Sequence, residues 1–479
     1  MSSNTTIAYG NVKINSPYDI KTILSLRMER SINDHAKIYI SGIISEENKA
    51  KYVEQATIKD IIEVTQTDDN SATTKLFKGI VTEIEIKASR GVYYIDIVGA
   101  SSTFNMDIKL KRRSFQDKDM AYTDLVKKVI ADYPGDSIDM AAKGKKLEKF
   151  IIQYDETDWE FLKRMASHFN TSLVADQLSD KPKFWFGIPE GGSKGNLDEF
   201  NYNIGKRIEE YRQLSENRVD GIDVADFTYF EVETEKILDI GDSVSFNNIN
   251  LYVSKSMSFI KNSVLRHVYF LVPKKGLTQD LLLNEKACNK AVEGKVIEVE
   301  EDHIRVHLDI DKEQPKDKAY WFPYSTGHSS EGNTGWYCMP ELDDKVKLYF
   351  PTNREEEGVI VDSIRRRIKG GDKIQNPDEK YFRTKFKKEN KFTEKELAFS
   401  AKDGTVFISL HDEKGIEISC DSKLIIDTDF DLIIHGDTIN IESFKDIEIT
   451  CNSSSIKMAN DQTHISGPIE ILKSKKVNY

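Results

Sequence analysis

Near the end of this 479-residue chain the sequence repeats itself at a step too short to build a core alone. Ile416, Leu424, Leu432, Ile439, Ile447 and Ile456 follow one another at steps of 8, 8, 7, 8 and 9. Two positions after each stand Ile418, Ile426, Ile434, Ile441, Ile449 and Met458. Side chains two apart share one face of a strand, so each pair marks a short strand and the polar residues that follow mark a turn. One strand and one corner per unit cannot enclose anything, because a triangular prism needs three faces. Three chains can each supply one face per layer, or one chain can coil alone with three units per turn. The lone coil over 404–472 would have only about three turns and open parallel edges, which invite aggregation. Three intertwined chains are therefore favoured, with these twelve residues as the shared apolar axis of a needle. The polar face is acidic, net −9 over 404–472, which suits solubility better than metal binding.

Upstream, the pattern predicts a mainly β, multidomain protein. Residues 1–110 alternate at period two. Tyr93, Ile95 and Ile97 face Ile84 and Ile86 across a turn at Ala88-Ser89-Arg90-Gly91, where Gly91 is free to take positive φ. This reads as a first β-barrel. An α/β insertion follows at 111–205. Its first helix carries Leu125, Val126, Val129 and Ile130 on one stripe. Its second opens on a capping box at Thr157 and Glu160 and carries Phe161, Leu162, Met165, Ala166 and Phe169. Both are expected on a small sheet that includes 173–174 and 183–186. A second barrel is expected at 206–275 and a helical linker at 276–293. Residues 294–368 read as five strands of an oligonucleotide/oligosaccharide-binding (OB) barrel. Residues 365–395 hold twelve Lys or Arg against five acidic residues, so 369–395 reads as a basic linker. The β-helical spike spans 396–472 and a short tail 473–479.

No run approaches the ~18 apolar residues of a membrane-spanning helix, and the N-terminus shows no basic cluster before an apolar core. The expectation is synthesis in the cytoplasm without a signal peptide, with another agent carrying the protein outward. Cys288, Cys338, Cys420 and Cys451 are too dispersed for a metal or redox motif and read as reduced. A net charge of −12 argues against nucleic acid as a partner.

Catalytic candidates are weak. Asp155, Glu156 and Asp158 sit at a helix start, where the dipole favours negative charge without catalysis. His303, Arg305 and His307 share one strand face but lack a third metal ligand. Glycines 187, 191, 192 and 195 lack the Lys-Ser/Thr of a phosphate cradle. Trp321, Phe322, Tyr324, Trp336 and Tyr337 offer stacking surfaces, read as packing against neighbouring subunits. The sequence thus nominates no catalytic, cofactor or metal residues, and no enzyme.

Two stretches resemble a known family. Gln153 to Arg164 looks like the tyrosine–acid–aspartate–aromatic–leucine–arginine hub segment of the VgrG and phage baseplate hub–spike (late control D) proteins. Trp321-Phe322-Pro323, Gly335 to Val346 and Gly358 to Ile364 look like that family's OB core. Asp343 stands where the family usually has glycine, a position an aspartate tolerates. The resemblance implies a homotrimer at the tip of a contractile injection system. Its two hub barrels per chain would mimic a tail-tube (Hcp-like) protein and adapt the sixfold tube to a threefold needle. It also implies contacts with baseplate proteins, a cone-shaped PAAR-type tip protein, effector cargo and, transiently, a target membrane. Two rival readings are a receptor- or glycan-binding tail fibre and an envelope-degrading tail enzyme. The sequence offers neither a terminal receptor domain nor a catalytic set for them.

Overall fold

The computed structural model describes residues 11–67, 72–217, 219–330, 334–365, 373 and 376–469. It divides into two units, Met1–Arg366 and Arg367–Tyr479. In the first, the hairpin of Thr73–Ser89 and Val92–Ala100 turns through Arg90 and Gly91 at φ 50° and 80°. Two successive positive φ values match the strand twist. They fix the register that sets Ile84 opposite Ile97 and Ile86 opposite Ile95.

This hairpin belongs to a 12-stranded sheet that also contains the strands of the expected second barrel. The two expected barrels, 1–110 and 206–275, are therefore halves of one sheet. They join where Thr22–Ser31 pairs antiparallel with Ile249–Lys261, with Met28 opposite Ser258. Ile249–Lys261 is 13 residues long, pairing with Ser243–Phe246 at its start and with Thr22–Ser31 farther along. An open edge of that length is a liability, and the other half covers it. Each half keeps its own core, one around Ile38, Ile62, Phe77 and Ile95, the other around Val232, Phe246, Leu251 and Leu271.

The insertion packs helices Tyr122–Ile130 and Asp158–Ser167 on a sheet of Asp136–Asp139, Leu173–Ala175 and Lys183–Phe186. Leu125, Val129, Phe161, Leu162, Met165 and Phe184 fill the space between them. The capping box forms. Glu160 N–H donates to Thr157 Oγ1 at 3.1 Å, and Thr157 N–H to Glu160 Oε2 at 3.0 Å.

The helix expected in the 276–293 linker does not form. A 3-10 turn at Lys274–Leu277 is followed by irregular chain. Its amides donate elsewhere: Gln279 to the Asn170 carbonyl (3.0 Å), Leu282 to Ser167 Oγ (2.9 Å) and Asn284 to the Asn353 carbonyl (3.0 Å). Tertiary partners replace the i−4 carbonyls that a helix would need.

Ala291–Glu300, His303–Leu308, Trp321–Pro323, Lys345–Tyr349 and Val359–Ile364 form a five-stranded antiparallel sheet. Its ends meet through a parallel bridge of Tyr324 with Ile360, where Ser325 N–H donates to the Ile360 carbonyl at 2.8 Å. Val296, Val306, Phe322, Leu348 and Phe350 fill the interior with Phe150 from the insertion. Asp343 takes φ 69°, the left-handed turn its substitution for glycine requires.

In the second unit, Lys380–Arg383, Glu389–Phe392, Glu396–Ala401, Val406–His411 and Gly415–Ser419 form an antiparallel meander. The basic segment is thus no mere linker from Lys380 on. Its cations are paired within the chain: Lys373 and Arg383 with Glu389 (both 2.8 Å), Lys387 with Asp403 (2.8 Å), Lys391 with Glu396 (3.0 Å). Residues 369–372, 374, 375 and the tail 473–479 lie outside the described residues. A second meander joins Asp446–Cys451, Ser454–Ala459 and Gln462–Ser466.

His267 is buried with Nδ1 2.6 Å from Ser258 Oγ, and burial lowers its pKa to about 4. The unfolded chain takes up this proton more readily, so the stability tied to neutral His267 is complete above about pH 6.5 and is lost as pH falls towards 4. Thermal melts across this window should show a declining midpoint, and His267→Gln should flatten the decline.

Candidate assembly surfaces

Helix Asp158–Ser167 carries Arg164 into a buried position between the insertion and the five-stranded module. Its Nε and Nη2 donate to Glu156 Oε1 and Oε2 at 2.9 and 2.8 Å, and Nη1 donates to Glu355 Oε1 at 2.9 Å. Nη2 also reaches the Ile152 carbonyl at 2.7 Å. Glu355 Oε2 accepts from Asn284 Nδ2 at 2.6 Å, so the irregular strap joins the same knot. Burial opposes the Arg164 cation, but Glu355 and Glu156 more than offset it and its pKa is raised. Burial likewise pushes the Glu355 carboxyl upward, against the pull of Arg164. Desolvation consumes much of what such pairs gain, so the node specifies an arrangement more than it adds stability.

The carboxylates that stand together in sequence are committed to different cations. Asp158, fully buried, takes Lys111 Nζ and Tyr133 OH at 2.6 and 2.7 Å as well as Arg113. Asp155 is held bidentately by Arg112 at 2.8 Å, which draws its pKa below the usual carboxylate range. Cation pairing, beyond the helix dipole, accounts for all three.

The module's candidates also separate. His303 bonds Asp302 Oδ1 at 2.6 Å and His307 Nε2 lies 3.0 Å from the Asp311 carbonyl. Arg305 sits over the Trp321 ring at 4.4 Å and pairs with Glu298 at 2.8 Å. No group of three or more His, Cys, Asp or Glu placed to hold a metal occurs among the described residues. Phe322 is core, whereas exposed Trp336 and Tyr337 line a cavity of about 540 Å³ with Tyr324 and Cys338. All four cysteines are free.

The second unit is different in kind. Ala398 is its only buried apolar residue among those described. Of the twelve predicted axis residues, eleven are 38–72% exposed and Ile447 is half-buried. The structure brings some together in hairpins: Ile416 opposite Leu410, Ile418 opposite Ile408, Ile447 opposite Met458 and Ile449 opposite Ile456. Leu424, Ile426, Leu432, Ile434, Ile439 and Ile441 lie in 420–445, which contains no strand and makes no backbone–backbone hydrogen bond with the described residues. The octad pattern missed exposed Ile425, Ile433, Phe430 and Phe444, which fall off its two-position rhythm. It also carried no trace of the Arg164–Glu355 pair, 191 positions apart. Replacing Arg164 by Met leaves two buried carboxylates without their cation. Denaturant unfolding should show a loss of about 3–5 kcal/mol at neutral pH.

Residues 24–171 match the phage tail baseplate hub (GPD) family. No curated protein matches the sequence. Among solved structures, one E. coli protein is described as a component of the type VI secretion system with structural similarity to the bacteriophage T4 tail proteins gp27 and gp5. It aligns with a TM-score of 0.50 at 11% identity, over 74% of this chain and 99% of its own. The half-lidded Francisella PdpA–VgrG complex gives 0.54 at 11% identity over 86% and 88%. A lidless PdpA–VgrG complex gives 0.55 at 11% identity over 86% and 98%. At such identities the structural likeness speaks for the fold. Residues 24–171 are thus similar in sequence to the baseplate hub family, and the chain is similar in fold to these VgrG and tail proteins.

Proposed function

We propose that this chain is the structural hub and spike at the tip of a phage tail-like contractile injection system, and that it works as a homotrimer. The observation that carries this is the second unit's lack of a core. Its apolar residues and its unpaired backbone over 420–445 demand a covering surface, and the octad rhythm fits two sibling chains best. Each isoleucine or leucine removed from water contributes roughly 1.5–3 kcal/mol, and the interchain ladder would satisfy amides that have no backbone partner among the described residues. The result is an intertwined β-helical needle.

In the same reading the two halves of the hub sheet act as two tube-like faces per chain. Three chains then present six such faces to a sixfold tail-tube (Hcp-like) protein. The five-stranded module is an OB barrel, supported by its strand order and the parallel bridge of Tyr324 with Ile360. Baseplate proteins would surround the hub, a cone-shaped PAAR-type protein would sharpen the needle, and effectors would travel as cargo. The particle would carry the chain to the target envelope, where contraction drives the needle through a membrane. Force is concentrated by stiffness, and no residue needs to make or break a covalent bond.

Light scattering coupled to gel filtration tests this. The intact protein should have the mass of three chains. Ile426→Asp with Ile434→Asp should leave the hub's circular dichroism in place and abolish the trimer. A monomeric intact protein, or a double variant that still trimerises, would overturn the proposal.

A further inference from the structure

Beside the Lys111–Phe115 strand lies a groove that the Arg164 node does not use. Ile108, Lys109, Leu110 and Arg112 line a cavity of about 890 Å³, with Ile310 and Lys312 from the five-stranded module. That volume falls in the range of built ligand sites. Ile108 and Leu110 are 61% and 56% exposed. Lys109 and Lys312 are exposed and form no ion pair among the described residues. Asp132, also in the groove, is occupied by Lys111 at 2.5 Å. A groove that is both cationic and apolar stands out on a chain of net charge −12.

The backbone adds a second feature. Among the described residues, Lys111–Phe115 pairs with no strand but Ile151–Glu156, so its other edge carries no strand and is covered at Ser114 alone by a side chain. On that edge Ser114 N–H donates to Asp311 Oδ1 at 2.7 Å and Ser114 Oγ to Asp311 Oδ2 at 2.5 Å. A carboxylate already holds one amide of the strand. Amides alternate sides along an antiparallel strand, so the amide of Arg112 turns to the same edge as that of Ser114.

We propose that this edge docks an extended acidic segment of a partner protein, laid beside Lys111–Phe115. Its apolar side chains would rest on Ile108 and Leu110 and its carboxylates would meet Lys109 and Lys312. Main-chain bonds supply affinity in such strand addition, and alternate side chains supply selection. Ile108 and Leu110 favour a polypeptide over a nucleic-acid strand, whose phosphates would use the cations alone. The proposal does not depend on how the tail assembles.

The test uses the full-length protein in its native assembly and a fluorescein-labelled peptide of alternating leucine and aspartate. Comparison probes are the leucine–lysine peptide and a short oligothymidylate. Anisotropy should show saturable binding of the acidic peptide, weakened by added salt. Lys109→Glu with Lys312→Glu should weaken it roughly tenfold or more, and Ile108→Ser should weaken it independently of salt. These surface changes should leave the melting curve unchanged. Four results would overturn the proposal: no saturable binding, unaltered binding by the charge-reversed variant, equal binding of the lysine peptide, or tighter binding of the oligonucleotide. So would protection of Lys109 from amine labelling in the peptide-free assembly, since a second copy would then fill the groove.

Discussion

Among the described residues, most of the second unit's apolar side chains stay exposed, and the backbone over 420–445 pairs with no strand. Water could hydrate the amides, but not the isoleucines at 53–68% exposure on either side of Asn440 without cost. A polypeptide with that pattern gains its order from association. In the proposed trimer one set of contacts would answer the apolar and the hydrogen-bonding demand, and the acidic residues between them would stay in water. The antiparallel meanders at 380–419 and 446–466 are where the chain pairs with itself.

The first unit differs in that its buried charges are paired within the chain. Arg164, Glu156, Glu355 and Asn284 tie helix, strand, strap and five-stranded module into one buried knot. Asp158 collects Lys111, Arg113 and Tyr133 a few residues away. Glu355 belongs to the module, so the Arg164 node fixes how the insertion meets it, whereas the Asp158 node lies within the insertion. A hub that must bear load benefits from such a junction more than from a slippery apolar one.

Local signals were legible in the sequence. The Thr157 capping box, the Arg90-Gly91 hairpin, the five strands of 291–364 and the left-handed Asp343 each depend on residues within a few positions of one another. Long-range choices were not. The merging of two barrels into one sheet rests on pairing between 27–31 and 255–259, which no local pattern records. A helix was expected in the 276–293 linker, yet Asn170, Ser167 and Asn353 take its amides. The basic segment looked solvated because a count of cations hides their partners, Glu389, Glu396 and Asp403. For the candidate site, the octad rhythm picked out twelve apolar positions, eleven of which are exposed in the single chain. Ile425 and Ile433, wedged between axis residues, escaped because a strict two-position rhythm assigns them to the polar side.

Amide hydrogen exchange over residues 420–445 of the assembled protein reads the central claim directly. Interchain strands predict slow exchange throughout this stretch, although it makes no backbone–backbone hydrogen bond with the described residues of its own chain. Exchange at the rate of a free peptide would contradict the account.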